Sequence, residues 1–256
     1  MTAFYHFLFE YLKIMVYTST QNTLIKNIAS LKDKKQRALQ GLYIAEGIKM
    51  VSEAIKFNKD IVYIVCVSEM LHSIPNSTAQ IIEVTQKVYK FISDEVTPQG
   101  VLAVIKMPSL EVKAPSGNCL LLDGVSDPGN LGTIIRTACA FNFNDIYLLN
   151  CADAFSNKVV RASMSGIYNV NLYKGDILSI KNALKGYSLI AGDIKGENLD
   201  TFTKPSKVCI AVGNEANGLS SEVKELASNI VTIKMEENQE SLNVAIACAI
   251  LMYKLK

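Results

Sequence analysis

Residues 119–138, CLLLDGVSDPGNLGTIIRTA, pass from a wholly apolar run through a glycine–proline turn into a helical pattern. Strand, turn and helix in that order are the unit from which parallel α/β sheets are built. Pro128 and Gly129 force the turn, and Asn130 is expected to cap the helix behind it. Leu131, Ile134, Ile135 and Ala138 recur at the spacing of one buried face, while Thr133, Arg136, Thr137 and Ala140 share another. The free N–H groups at a helix start favour anions. Arg136, about two turns in, suits a bidentate grip on a phosphate or carboxylate; an ordinary salt-bridged surface arginine fits the segment equally well. The turn has neither the lysine of a P-loop nor the G-x-G-x-x-G of a dinucleotide site, which argues against a nicotinamide-dependent oxidoreductase.

Outward from this unit the alternation continues. CLLLD, DIYLLN, NVNLY, YSLIAGD, KVCIAVG and NIVTIKM read as six short strands, with helices expected over residues 130–142, 157–165, 177–185, 220–227 and 241–255. The fold class is therefore α/β, with a mostly parallel sheet covered on both faces and its ligands beyond the carboxyl ends of the strands. The front half is a smaller α/β domain with strands in GLYIAEG, DIVYIVCV, AQIIEVT and GVLAVIKM. One helical face runs through NTLIKNIASLKDKKQRAL on Leu24, Ile25, Ile28, Leu31, Ala38 and Leu39. KMPSLEVKAPSGN is linker-like. The expected layout is an N-terminal extension over 1–16, with Met15 as an alternative start, a first domain over 17–108, a linker over 109–117 and a second domain over 118–256.

The chain has 256 residues, 49% of them hydrophobic and 20% charged, with a net charge of +2. That is the balance of an ordinary globular protein rather than a disordered one. Basic residues concentrate in KNIASLKDKKQR, which reads either as the footprint of an anionic partner or as a solvated helix face. The six cysteines form no C-x-x-C pair and mostly sit in apolar runs, as small core residues of a reducing cytosol do. His6 and His72 are too few for a metal site or a histidine-based triad, so no metal is expected. FYHFLFEYLKIMVY is shorter than the roughly 20 apolar residues a membrane span needs, and no membrane association is expected.

Two later stretches complete the pattern. In IAVGNEANGLS, residues 210–220, a buried strand ends at Gly213 and a polar loop with Asn214 and Glu215 closes at Gly218, with Ser220 capping the next helix. In IVTIKMEENQESLNVAIACAILMYKL, residues 230–255, Ser241 is expected to begin a helix of small residues with Asn243 in its first turn. Singly, these read as a generic polar loop and a capped core helix.

Together and in order, DPGNLGTIIRTA, GNEANGL and SLNVA resemble the motifs of the SpoU (TrmH-like) branch of the SPOUT RNA methyltransferases: D-P-x-N-x-G-x-x-x-R-x-A, G-x-E-x-x-G-L and S-L-N-V. NKVVRASMSGIYNVNL is similar to the family's connecting segment. The front half is similar to an RNA-binding domain, itself like a ribosomal protein, that precedes many members. The resemblance implies a C-terminal domain with a deep trefoil knot and S-adenosylmethionine as methyl donor to a ribose 2′-hydroxyl. It places Gly213, Ile233 and Leu242 at the cofactor, with Ala191 and Gly192 as a further wall. It assigns catalysis to Arg136, Asn130, Glu215, Ser241 and Asn243. RNA contacts then fall to Lys26, Lys34, Lys35, Arg37 and Arg136. It further implies a cytoplasmic homodimer acting on ribosomal RNA, with transfer RNA, or an RNA-binding protein without turnover, as the alternatives.

Overall fold

The computed structural model describes residues 16–236, 238 and 240–256. The expected N-terminal extension lies outside the described residues up to position 15. Short runs of β-branched and aromatic residues become strands, and the described chain divides into two units, with the boundary between Met107 and Pro108.

The first unit holds strands β1 (Leu42–Glu46), β2 (Ile61–Cys66), β3 (Gln80–Glu83) and β4 (Val101–Lys106), in the order β1-β4-β2-β3. Only β2 and β3 run parallel. Its helices are α1 (Thr23–Ser30), α2 (Lys34–Gln40), α3 (Ile48–Lys56) and α4 (Gln86–Ile92). The single helix expected over residues 22–39 is two helices. Asp33 breaks it, because its carboxylate accepts from the N–H groups of Lys35 and Gln36 and caps α2 afresh. The apolar face therefore ends at Leu31: Ile25, Ile28 and Leu31 are buried, but Leu39 is 79% exposed. Arg37 also departs from expectation. It is buried, and its Nη1 donates to the carbonyls of Leu31 and Lys32, tying α2 to the end of α1 rather than facing a partner. Lys26, Lys34 and Lys35 remain exposed.

The second unit is a six-stranded sheet in which every pairing is parallel, in the order β10-β8-β9-β5-β6-β7. The strands are β5 (Cys119–Asp123), β6 (Asp145–Leu149), β7 (Asn171–Lys174), β8 (Ser188–Asn198), β9 (Val208–Val212) and β10 (Asn229–Thr232). Central β5 and β9 are buried at every residue, as a sheet covered on both faces requires. The connecting helices are α5 (Pro128–Phe141), α6 (Asn157–Ala162), α7 (Ile177–Ala183), α8 (Ser221–Leu226) and α9 (Val244–Leu255). Among the described residues no helix is long and apolar enough to cross a membrane.

The stretch read as a linker is fastened to this second sheet. The Lys174 N–H donates to the Leu110 carbonyl at 2.8 Å, and the Tyr147 hydroxyl to the Lys113 carbonyl at 2.7 Å. Ser116 donates to the buried carboxylate of Asp145 through both its N–H and its hydroxyl. The other oxygen of that carboxylate accepts from Asn171 and Tyr173. Burial alone pushes the Asp145 carboxyl up, but these hydrogen bonds outweigh it and hold the group below the usual carboxylate range.

Candidate active site

The carboxyl ends of β8, β9 and β10 open into one cavity of about 540 Å³, within the size range of small-molecule sites. Three loops make its walls. Consecutive β10 residues Ile230 and Val231 pair with Ala191 and Glu197, so residues 192–196 of β8 loop out of the ladder between them. After β9, Asn214 and Gly218 exchange backbone hydrogen bonds at 2.9 Å and close a tight loop. Gly218 takes φ +67°, a left-handed conformation that suits glycine. The third wall is the chain between β10 and α9, with Ile233, Ser241 and Leu242 on the lining.

Asn130 joins this region to α5. The structure moves the helix cap three residues back from it: Asp127 accepts from the Asn130 N–H at 2.8 Å, and Pro128 takes the first helical position. Released from capping, the Asn130 side chain donates to Glu215 Oε1 at 2.9 Å and accepts from Asn243 Nδ2 at 2.9 Å. The second cap also shifts. Asn243, rather than Ser241, precedes α9, and its Oδ1 accepts from the N–H groups of Ala245 and Ile246. One connected cluster thus draws a residue from each of the three motifs. Ser220 caps α8 as expected, accepting from the Val223 N–H.

Further hydrogen bonds and ion pairs reinforce the loops. Asn214 Nδ2 reaches the Gly124 carbonyl at 2.8 Å and ties the β9 loop to the β5–α5 turn. The buried carboxylate of Asp123 accepts from the Ser220 N–H at 2.7 Å. Asp127 is held below the usual carboxylate range, first by the Asn130 N–H and also by the neighbouring Lys158. On the cavity wall, Lys224 Nζ lies 2.8 Å from Asp193 Oδ2.

The expected residues distribute unevenly. Gly192, Gly213, Ile233 and Leu242 line the cavity together with Glu215 and Ser241. Ala191 does not: it is buried within β8, opposite Ala211 of β9. Arg136 is exposed on the solvent side of α5 and is not part of the lining. It stands about 9 Å further along the helix than Asn130 and about a third of a turn round it. Its backbone is fixed from behind by Gly166, where a side chain's first carbon would come to 3.0 Å from Arg136 Cα.

The chain matches the SpoU rRNA Methylase family over residues 117–253 and the MRM3-like substrate binding domain over residues 22–103. It is 30% identical over 243 residues to the 23S rRNA (guanosine(2553)-2′-O)-methyltransferase RlmP of Bacillus subtilis, covering 93% of this chain and 98% of that one. It is 26% identical to the mitochondrial rRNA methyltransferase 3A of Danio rerio, over 91% of this chain and 68% of that one. The AdoMet-bound rRNA methyltransferase from Sinorhizobium meliloti has the same fold at a TM-score of 0.85 and 28% identity, covering 94% of this chain and 97% of that one. A parallel sheet whose three loops close one cavity, with this likeness over more than nine-tenths of its length, places the chain in the SpoU rRNA methylase family.

Proposed function

We propose that the protein transfers a methyl group from S-adenosylmethionine to a ribose 2′-hydroxyl of ribosomal RNA. The observation that carries this is the Asn243–Asn130–Glu215 cluster, whose Glu215 lines the three-loop cavity. The lining fits the donor: Val212, Ile233, Leu242 and Leu251 offer apolar surface for an adenine, while the Gly192 and Gly213 backbones permit close approach. When bound, that cofactor supplies an electrophilic methyl group on a sulfonium, so the chain need only align an oxygen and ease loss of its proton.

A ribose hydroxyl is a weak nucleophile until that proton leaves. A guanidinium is unsuited to accept it at neutral pH. Arg136 instead grips the adjoining RNA phosphate, and its positive charge favours the deprotonated hydroxyl, with a phosphate oxygen taking the proton. Asn130, Glu215, Ser241 and Asn243 orient ribose and loops. Lys26, Lys34 and Lys35 contribute sequence-independent phosphate contacts from the front domain, read as residues 17–108, which a segment over 109–117 joins to the methyltransferase domain over 118–256. Six unpaired cysteines suit a reducing cytoplasm.

Methyl transfer from tritium-labelled S-adenosylmethionine to purified ribosomal RNA, with transfer RNA as the comparison, tests the reading. Label should enter ribosomal RNA as 2′-O-methyl nucleotide; label confined to transfer RNA would reassign the substrate, and none in either would remove the activity.

The position of Arg136 outside the cavity lining supports a homodimer, in which a second copy brings RNA-gripping and cofactor-holding parts together. Ile246 and Tyr253 of α9 are 51% and 59% exposed, and the Tyr253 ring meets that of Phe141 at the end of α5 at a 59° tilt. Such an apolar strip favours a helix-on-helix interface. Light scattering should give twice the 28.1 kDa chain mass. Ile246→Glu combined with Tyr253→Glu should give a monomer with little methyl transfer; an active monomer would end the dimer reading.

A further inference from the structure

The Asp193–Lys224 ion pair has no part in the transfer step described above, yet both residues line the cavity. Asp193 belongs to the five residues that loop out of β8, and Lys224 projects from α8, so the pair spans two separately anchored elements. Neither group is saturated by the other. The Lys224 ammonium has three donors, and one of them meets Asp193 Oδ2 at 2.8 Å. The Asp193 carboxylate also accepts from the loop amides, from the Lys195 N–H at a long 3.3 Å and from the Ile194 N–H. Burial pushes the Asp193 carboxyl up, but Lys224 and the loop amides outweigh that and keep it ionised at neutral pH.

An adenosine needs only the apolar and backbone surfaces already assigned to it. The other end of the cofactor is an α-amino acid, with an ammonium and a carboxylate on one carbon. A cation and an anion held side by side in the wall match that pair of charges, each meeting its opposite. We propose, resting on the cofactor assignment above, that Asp193 and Lys224 form the recognition site for the amino-acid end of S-adenosylmethionine, Asp193 taking its ammonium and Lys224 its carboxylate. The ion pair then opens on binding and each partner exchanges one bond for another.

The test is calorimetric binding to the full-length protein of four ligands: S-adenosylmethionine, S-adenosylhomocysteine, decarboxylated S-adenosylmethionine, which lacks only the carboxylate, and 5′-methylthioadenosine, which lacks both charges. Wild type should bind S-adenosylhomocysteine at least about tenfold more tightly than 5′-methylthioadenosine, the scale of one charge-assisted bond. Lys224→Met should weaken S-adenosylmethionine about tenfold and leave the decarboxylated ligand as tight or tighter. Asp193→Asn should weaken both, with 5′-methylthioadenosine little changed in either variant. Equal affinity of wild type for S-adenosylhomocysteine and 5′-methylthioadenosine overturns the proposal whatever the variants do. Uniform weakening of all four ligands in both variants also overturns it, because that is the signature of a strap that merely closes the loop. A wild type that binds no adenosyl ligand removes the cofactor assignment itself, a separate failure.

Discussion

Arg136→Ala should cut methyl transfer to RNA by about a thousandfold while S-adenosylhomocysteine affinity stays within about threefold of wild type. The two effects separate because the side chain is exposed on α5 and absent from the cavity lining. Truncation there opens no cavity and orphans no buried partner, so stability should change by less than about 0.5 kcal/mol. Arg136→Lys keeps the charge but loses the planar fork, and it should recover only part of the rate. Single-turnover transfer at saturating RNA, set beside calorimetric ligand binding, reads both quantities. Turnover close to wild type in Arg136→Ala would take the residue out of the chemistry and leave Glu215 and the RNA itself to ease the proton away.

Gly213→Ala should abolish measurable cofactor binding and destabilise the second unit by about 1–3 kcal/mol. A Cβ at Gly213 would sit well inside van der Waals contact of the Gly218 carbonyl and the Leu219 nitrogen. Those are backbone atoms, held by the reciprocal Asn214–Gly218 hydrogen bonds, so no rotamer can yield. The loop must open, and it carries both Glu215 and the Asn214 tie to Gly124. Gly117→Ala is the matched control: its added Cβ meets nothing within 4 Å, and its effect should stay within about 0.5 kcal/mol. Thermal unfolding with and without S-adenosylhomocysteine distinguishes the cases, because only a binding-competent variant gains stability from the ligand. A Gly213→Ala protein with the full ligand-induced shift would show that the loop tolerates what its geometry forbids.

The parallel sheet was legible because buried strands announce themselves as unbroken apolar runs; CLLLD and VCIAV need no partner to be recognised. The motif residues that meet at the cavity were legible as a set only through their order and family resemblance, since a G-N-E loop or an S-L-N helix start is unremarkable alone. Caps misled by a few residues. Pro128 and Gly129 look like a turn, yet proline suits the first position of a helix, which lets Asp127 do the capping and leaves Asn130 free. Arg37 looked like a surface cation because its charge is visible in the sequence, whereas the two carbonyls it satisfies are not. The Asp193–Lys224 pair was illegible for a similar reason: a loop aspartate and a helix lysine acquire meaning only when distant segments fold onto one wall.

The asparagine relay has a consequence for how the site keeps its polarity. Asn243 spends its oxygen on the amides at the start of α9, so only its NH2 can face Asn130. Asn130 must answer with oxygen, and therefore presents its own NH2 to Glu215. The direction of each amide is thus inherited from the start of α9, two side chains away, and it is the Asn130 NH2 that Glu215 Oε1 meets at the end of the chain.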